Sequence, residues 1–277
     1  MKNIKSCEWL QENLERVHVF DAGIVNAGEK GGYCPQAIIQ GAKRFDIKGA
    51  LCEPDVMLSS TMCGAQQFQA EMRQLGVNNT DTVIVYDDKG LFSAARAWWM
   101  SKSMGFEEVY VLDGGLVRWL ELGLPTQAEY SQAKTIGDFV AHPRSGYFID
   151  KQVVLNTIDD PNSLLLDARS YKRFTGDEPE PRAGMISGHI PNSKSMHYAS
   201  VLDESKCLKP ISELHERLKT LGVEGKSLQF SCGSGITACI LAMIAEECGY
   251  QDLAVYDGSW SEWGNAENSL PIETGEV

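Results

Sequence analysis

The chain repeats itself, and that repeat constrains its fold more than any other feature. Asp113-Gly114-Gly115 with Trp119 returns as Asp257-Gly258-Ser259 with Trp263, a constant step along the chain (113 to 257, 119 to 263). Leu124-Pro125 returns as Leu270-Pro271, Val17–Asp21 answers Leu164–Asp167, and Ser93 answers Thr237. Self-similarity at this length marks a duplicated structural unit. Within the first copy the residue pattern predicts a helix over 5–16 and a strand at Val17–Asp21. A loop-rich stretch over 22–40, a strand within Gly41–Asp46 and a loop over 49–64 follow. Ala65–Leu75 has helical spacing, Val83–Tyr86 is an apolar strand, Leu91–Met104 a helix, Val109–Leu112 a strand and Leu116–Leu122 a helix. Short strands alternating with helices imply an α/β fold, each copy a parallel sheet flanked by helices. The expected organisation is a first domain over 1–125, a polar linker over 126–145, and a second domain over 146–277.

The two copies part company at one loop. In the second, Leu228–Phe230 reads as a buried strand and Cys239–Cys248 as a helix, separated by Cys-Gly-Ser-Gly-Ile-Thr. Gly233 and Gly235 let such a turn curl with several backbone N–H groups pointing inward, and the helix start adds its partial positive charge. A cysteine at the head of that cradle sits in a field favouring thiolate, the nucleophilic form. Cys232 is therefore a candidate nucleophile, with burial as a small packed residue the plainer reading. Ser234 and Thr237 could donate hydroxyl hydrogen bonds to a charged sulfur. The first copy carries Asp87 where the second has Cys232, so it is expected to serve as scaffold or pocket wall.

A second group of polar residues lies in an insertion that only the second copy has, between Asp167 and His189-Ile190-Pro191. It presents Arg169, Arg173 and Arg182. Pro179 and Pro181 stiffen it and Gly176 and Gly184 allow turns, which predicts an ordered loop rather than a helix. Arg173 and Arg182 could capture a carboxylate, or could pair with Asp177, Glu178 and Glu180 on a solvated surface. Arg169, two residues past the strand end, reads as structural. His189 reads as a packed corner residue, Trp260 and Trp263 as core or pocket wall, and Cys239 and Cys248 as helix packing.

Bulk properties narrow the setting. A net charge of −13 over 277 residues argues against a nucleic-acid partner, because phosphate contacts need a basic surface. The eight cysteines are scattered without a CxxC pair and the five histidines do not join them, so neither a disulfide framework nor a metal site is expected. No stretch approaches the roughly 20 apolar residues of a membrane span, and the opening residues run directly into a helical pattern without an apolar signal core. The expected setting is the reducing cytoplasm.

CGSGITA, Lys172-Arg173-Phe174, EPEPR at 178–182, GHIP at 188–191 and YDGSWSEW at 256–263 together resemble the two-domain rhodanese superfamily, and within it the 3-mercaptopyruvate sulfurtransferases. LFSAARAWWM and VLDGGLVRWLELGLP in the first half agree. The resemblance implies that Cys232 takes sulfur from the donor and holds it as a persulfide cradled by Gly233, Ser234, Gly235, Ile236, Thr237 and Ala238. It implies that Arg173 and Arg182 grip the donor, and that a thiol, thioredoxin or cyanide accepts the sulfur. No metal or organic cofactor is implied.

One departure stands out. The family's first domain supplies an Asp and a His, thought to relay a proton with the loop serine; here those positions hold Lys48 and Val56, with Asp46 or Asp55 as possible substitutes. The first copy also reads Ile38-Ile39-Gln40-Gly41-Ala42 in place of the usual HIPGA. Among rivals, a cysteine phosphatase needs an arginine six residues after the cysteine, where Ala238 stands. A thiosulfate-preferring relative would carry a cation at Ser234. A non-catalytic persulfide-carrying or protein-binding module is a further alternative; such modules often lose the cysteine, and this chain keeps it.

Overall fold

The computed structural model describes residues 1–29, 31–54, 58, 60–276. The first unit runs β1 (Ile4–Lys5), α1 (Cys7–Asn13), β2 (His18–Asp21), β3 (Ile38–Ile39), β4 (Lys43–Arg44), α2 (Ala65–Gln74), β5 (Val83–Tyr86), α3 (Ala94–Ser103), β6 (Val109–Leu112) and α4 (Gly115–Glu121). A short β7 (Thr126–Gln127) follows. The second unit runs β8 (Phe148–Ile149), α5 (Lys151–Thr157), β9 (Ser163–Asp167), α6 (Tyr171–Thr175), β10 (Lys194–Ser195), α7 (Ile211–Thr220), β11 (Ser227–Ser231), α8 (Ala238–Glu247), β12 (Leu253–Tyr256) and α9 (Ser259–Trp263). Two parallel five-stranded sheets result, ordered β1-β6-β5-β2-β4 and β10-β9-β11-β12-β8. Read from opposite edges these are the same sheet, strand for strand, which is the duplication seen in sequence.

Matching hydrogen bonds explain why particular residues recur. Trp119 Nε1 donates to the Pro125 carbonyl at 2.9 Å, and Trp263 Nε1 to the Pro271 carbonyl at 2.8 Å. Each indole thereby pins the Leu-Pro segment leaving its unit and satisfies a buried N–H. Lys43 Nζ reaches the Leu75 carbonyl at 2.7 Å, and Lys194 Nζ the Leu221 carbonyl at 3.0 Å, so each edge strand ties down the end of the helix beside it.

The units are joined by α3 and α8, the helices that follow the two loops compared above. Nine of the ten residues of α3 are buried, and eight of the ten of α8. A helix buried on nearly all sides must be covered from both directions; here its own sheet covers one side and the other helix the second. One apolar cluster therefore continues through both units, from Phe20, Val85 and Trp98 to Leu166, Phe230 and Leu241. Each such side chain withdrawn from water contributes roughly 1.5–3 kcal/mol, so parting the units would expose a large share of the core.

Three local expectations change. Lys5 lies in β1 beside β6 rather than in the first helix, since its backbone pairs with Leu112. The arginine-bearing insertion is not wholly loop: Tyr171–Thr175 forms the short helix α6, closed by Gly176 at φ 88°, and this helix carries Arg173. The polar stretch over 126–145 is no free spacer. β7 pairs antiparallel with β3, and Phe139 is buried against Phe68 and Phe106 of the first unit.

Candidate functional site

Cys232 follows β11, at the carboxyl edge of the sheet where open α/β folds place their ligands. It is buried, 1% exposed, yet lines a cleft of about 300 Å³ between the two units. The loop after it is held from behind by its carbonyls. The Cys232 carbonyl accepts from Trp260 N–H at 3.0 Å and the Gly233 carbonyl from Ser261 N–H at 2.9 Å. The Gly235 carbonyl accepts from Arg96 Nη1 and from Cys239 Sγ, each at 3.2 Å. In a planar trans peptide the next N–H points opposite to the carbonyl, so anchoring these carbonyls outward turns the N–H groups of Gly233, Ser234 and Ile236 the other way. Among the described residues, none of the backbone N–H groups from 233 to 238 donates a hydrogen bond. Buried N–H groups are normally paired, and a loop of unengaged donors that follows a cysteine is able to receive an anion. Gly235 sits at φ 72°, a left-handed conformation natural to glycine, and a Cβ there would come 2.7 Å from the Asp257 carbonyl. At Gly233 an added Cβ would meet Arg173 Nη2 at 3.3 Å and Arg182 Nη1 at 3.4 Å, so both guanidinium groups lie close against this residue.

Both expected arginines thus converge over Gly233, though in different states. Arg182 points Nη1 toward the Gly233 carbonyl at 3.5 Å and has no carboxylate partner among the described residues. Burial, with repulsion from Arg173, holds its guanidinium below the ordinary arginine range. Arg173 gives Nε and Nη2 to Glu180, a carboxylate only 2% exposed, and keeps the remaining donors at the cleft. Glu180 also accepts from Arg169 at 2.8 Å, while Arg169 grips Asp167 and the Gly188 carbonyl. Arg169 is therefore the buried post that carries the arm. Among the described residues, the insertion's arginines do not pair with Asp177 or Glu178; the carboxylate that Arg169 and Arg173 share is Glu180, inside the fold.

Ser234 and Thr237 line the cleft, and neither hydroxyl is engaged by another described side chain. His189 is a packed corner: its Nδ1 lies 2.8 Å from the Phe174 carbonyl and its ring stacks on Phe174 with centroids 3.9 Å apart. Trp260 and Trp263 are fully buried. Lys48 reaches the cleft from the first unit, its ammonium destabilised by burial and by Arg182 and Lys89. Asp46 accepts from Lys48 N–H and pairs with Arg44, lining a neighbouring cavity rather than the one containing Cys232. Val56 and Asp55 lie outside the described residues.

The sequence reading missed His197, Tyr198 and Phe92, which also line the cleft. Burial, with repulsion from Arg173 and Arg217, lowers the His197 imidazole's affinity for a proton. Its signal was positional: it stands two residues beyond β10, at the same carboxyl edge as Cys232.

Several other thiols are governed by their burial. Burial pushes the thiols of Cys7, Cys63, Cys207 and Cys239 up to about 12 and that of Cys248 to about 11, so these stay protonated. Burial also raises Cys52. All eight cysteines are free, and no group of His, Cys, Asp and Glu among the described residues could hold a metal. No described helix is long and apolar enough to cross a membrane.

A rhodanese-like domain model matches twice, over residues 6–122 and 150–266. The chain belongs to the rhodanese family. Its relatives include the mitochondrial thiosulfate/3-mercaptopyruvate sulfurtransferase 1 of Arabidopsis thaliana, 36% identical over 99% of this chain and 78% of that protein. The 3-mercaptopyruvate sulfurtransferase of Escherichia coli strain K12 is 33% identical over 96% of each chain. In structure, this rhodanese resembles a solved Escherichia coli 3-mercaptopyruvate sulfotransferase with TM-score 0.83 and 30% identity, over 95% of this chain and all of that one.

Proposed function

We propose that this rhodanese is a sulfurtransferase that takes sulfur from 3-mercaptopyruvate onto Cys232 and passes it to a thiol or to cyanide. The observation that carries the reading is the unfilled amide cradle around Cys232, with the Arg182 guanidinium beside it. The Cys232 thiolate attacks the donor sulfur and the sulfur–carbon bond breaks. Its electrons pass to the carbon, giving the pyruvate enolate, which takes a proton at carbon. The new persulfide lies against the N–H groups of residues 233–238, which stabilise anionic sulfur without having to reorganise. Arg182, and the free donors of Arg173, bind the donor carboxylate and keto oxygen. An acceptor thiolate then attacks the outer sulfur and Cys232 leaves as thiolate. Thioredoxin or another thiol fits that second step. The cysteine itself carries the group, so no cofactor or metal enters. Ser234, Lys48 and His197 are among the cleft groups able to hand over the proton.

Thiosulfate is the second donor reading, and Lys48 favours it, since an added cation near Cys232 suits a dianion. Eight free cysteines suit a reducing compartment, and we place the protein in the cytoplasm on that ground. Steady-state kinetics with the two donors side by side test the assignment. A larger kcat/KM with mercaptopyruvate is expected; absence of turnover with that donor would contradict it.

A further inference from the structure

The first unit does more than wall the cleft. Arg96, on α3, is fully buried and crosses to the second unit. Its Nη2 pairs with Asp257 at 2.7 Å and donates to the Ser60 carbonyl at 2.6 Å, while Nη1 reaches the Gly235 carbonyl at 3.2 Å. The guanidinium also stacks over Phe148, 4.4 Å from the ring centre. Asp257 in turn accepts from Met62 N–H at 2.8 Å and leads into the turn whose Ser259 hydroxyl accepts from Cys232 N–H. One planar cation therefore fixes both the middle of the cysteine loop and the turn behind it.

The Gly235 carbonyl and the Ile236 N–H belong to one rigid peptide and point in opposite directions. We propose that Arg96 is a positioning residue that pins this peptide so that the Ile236 N–H faces the Cys232 sulfur, making the cradle a joint product of both units. The first unit shows what the equivalent N–H does. Phe92 stands two residues before its helix, as Ile236 does before α8, and its N–H donates to the Asp87 carboxylate at 2.7 Å. That donor therefore aims at the residue in the cysteine's place. The clamp runs one way: the position on α8 that answers Arg96 is Ile240, which has no donor to return.

The inference rests on Cys232 being the sulfur-bearing residue. It is tested with Arg96→Lys, which keeps the buried positive charge but cannot span two acceptors with a planar fork. The double variant Arg96→Met/Asp257→Asn serves as partner, leaving no buried charge unpaired. Both are first checked for cooperative thermal unfolding, and Arg96→Lys decides alone if the double variant does not fold. Losing a preorganised donor typically costs about 10²–10³ in kcat, and a peptide left to wander loses part of that. The expected result is a kcat about tenfold to a hundredfold lower with KM for the donor within threefold, because the arginines over Gly233 are untouched. Alkylation of Cys232 by iodoacetamide, without donor, should slow by a similar order. A folded variant with kcat and alkylation rate within twofold of the unaltered chain, or with a change confined to KM, overturns the proposal. Failure of the underlying reading would look different: the unaltered chain itself would load no sulfur on Cys232 from either donor.

Discussion

The loops at 87–94 and 232–238 share one frame and differ in what fills it. In the first, Asp87 Oδ2 accepts from the N–H groups of Phe92, Ser93 and Ala94 at 2.7–2.9 Å, and Oδ1 from Lys89 N–H at 2.9 Å. The chain supplies its own anion and the site is closed. In the second, the shorter side chain of Cys232 leaves the donors of residues 233–238 without an acceptor. Among the described residues, arginines overhang the second loop and not the first. The fold builds the same loop twice; in the proposed function, activity depends on leaving one of them open with cations above it.

Changes at five positions would break or sharpen that contrast. Cys232→Ser should reduce sulfur transfer to background, and Asp87→Cys in the same chain should not restore it, because the first loop has no arginine arm. Recovery of turnover in the double variant would show that the cradle alone suffices. Next, Arg182→Ala should lower kcat/KM for mercaptopyruvate by about a hundredfold, the upper end for a charge-assisted hydrogen bond of roughly 1.5–3 kcal/mol. Arg173→Ala should cost about tenfold, since Glu180 already takes two of its donors. Equal kinetics in all three proteins would reduce the arm to a structural brace.

Asp87→Ala should leave the chemistry in place but destabilise the chain by about 2 kcal/mol, because it orphans several buried N–H groups. Denaturant unfolding reads this directly, and Asp87→Asn, whose amide oxygen can still accept, should lose less. The smallest effect belongs to Lys48. Lys48→Asp should raise the preference for mercaptopyruvate over thiosulfate by roughly threefold to tenfold, since removing a nearby cation penalises a dianion more than a monoanion. An unchanged ratio would mean that Lys48 does not sense the donor.

Much of this was legible in the chain itself. The duplication, the alternating strands and helices, and the exchange of Cys232 for Asp87 are local patterns, and periodicity reports them. So does the structural role of Arg169, which stands within reach of the strand-end Asp167. What escaped depends on distant contacts. Nothing near Arg96 in sequence reveals Asp257 or Gly235, and His197 gains meaning only when β10 is laid beside β9. The helix α6 was hidden because five residues are too few for a periodic signal, its stop being fixed by Gly176. The inward course of 126–145 was hidden because one residue, Phe139, supplies most of its burial.

The open cradle is tested most directly by locating the transferred sulfur. The chain is exposed to mercaptopyruvate without acceptor, its intact mass measured, and the modified residue mapped by peptide mass spectrometry. One added sulfur is expected, on Cys232, absent from Cys232→Ser and removed on adding a thiol. Sulfur carried instead by another cysteine such as the exposed Cys34, with Cys232 unmodified, would contradict the account.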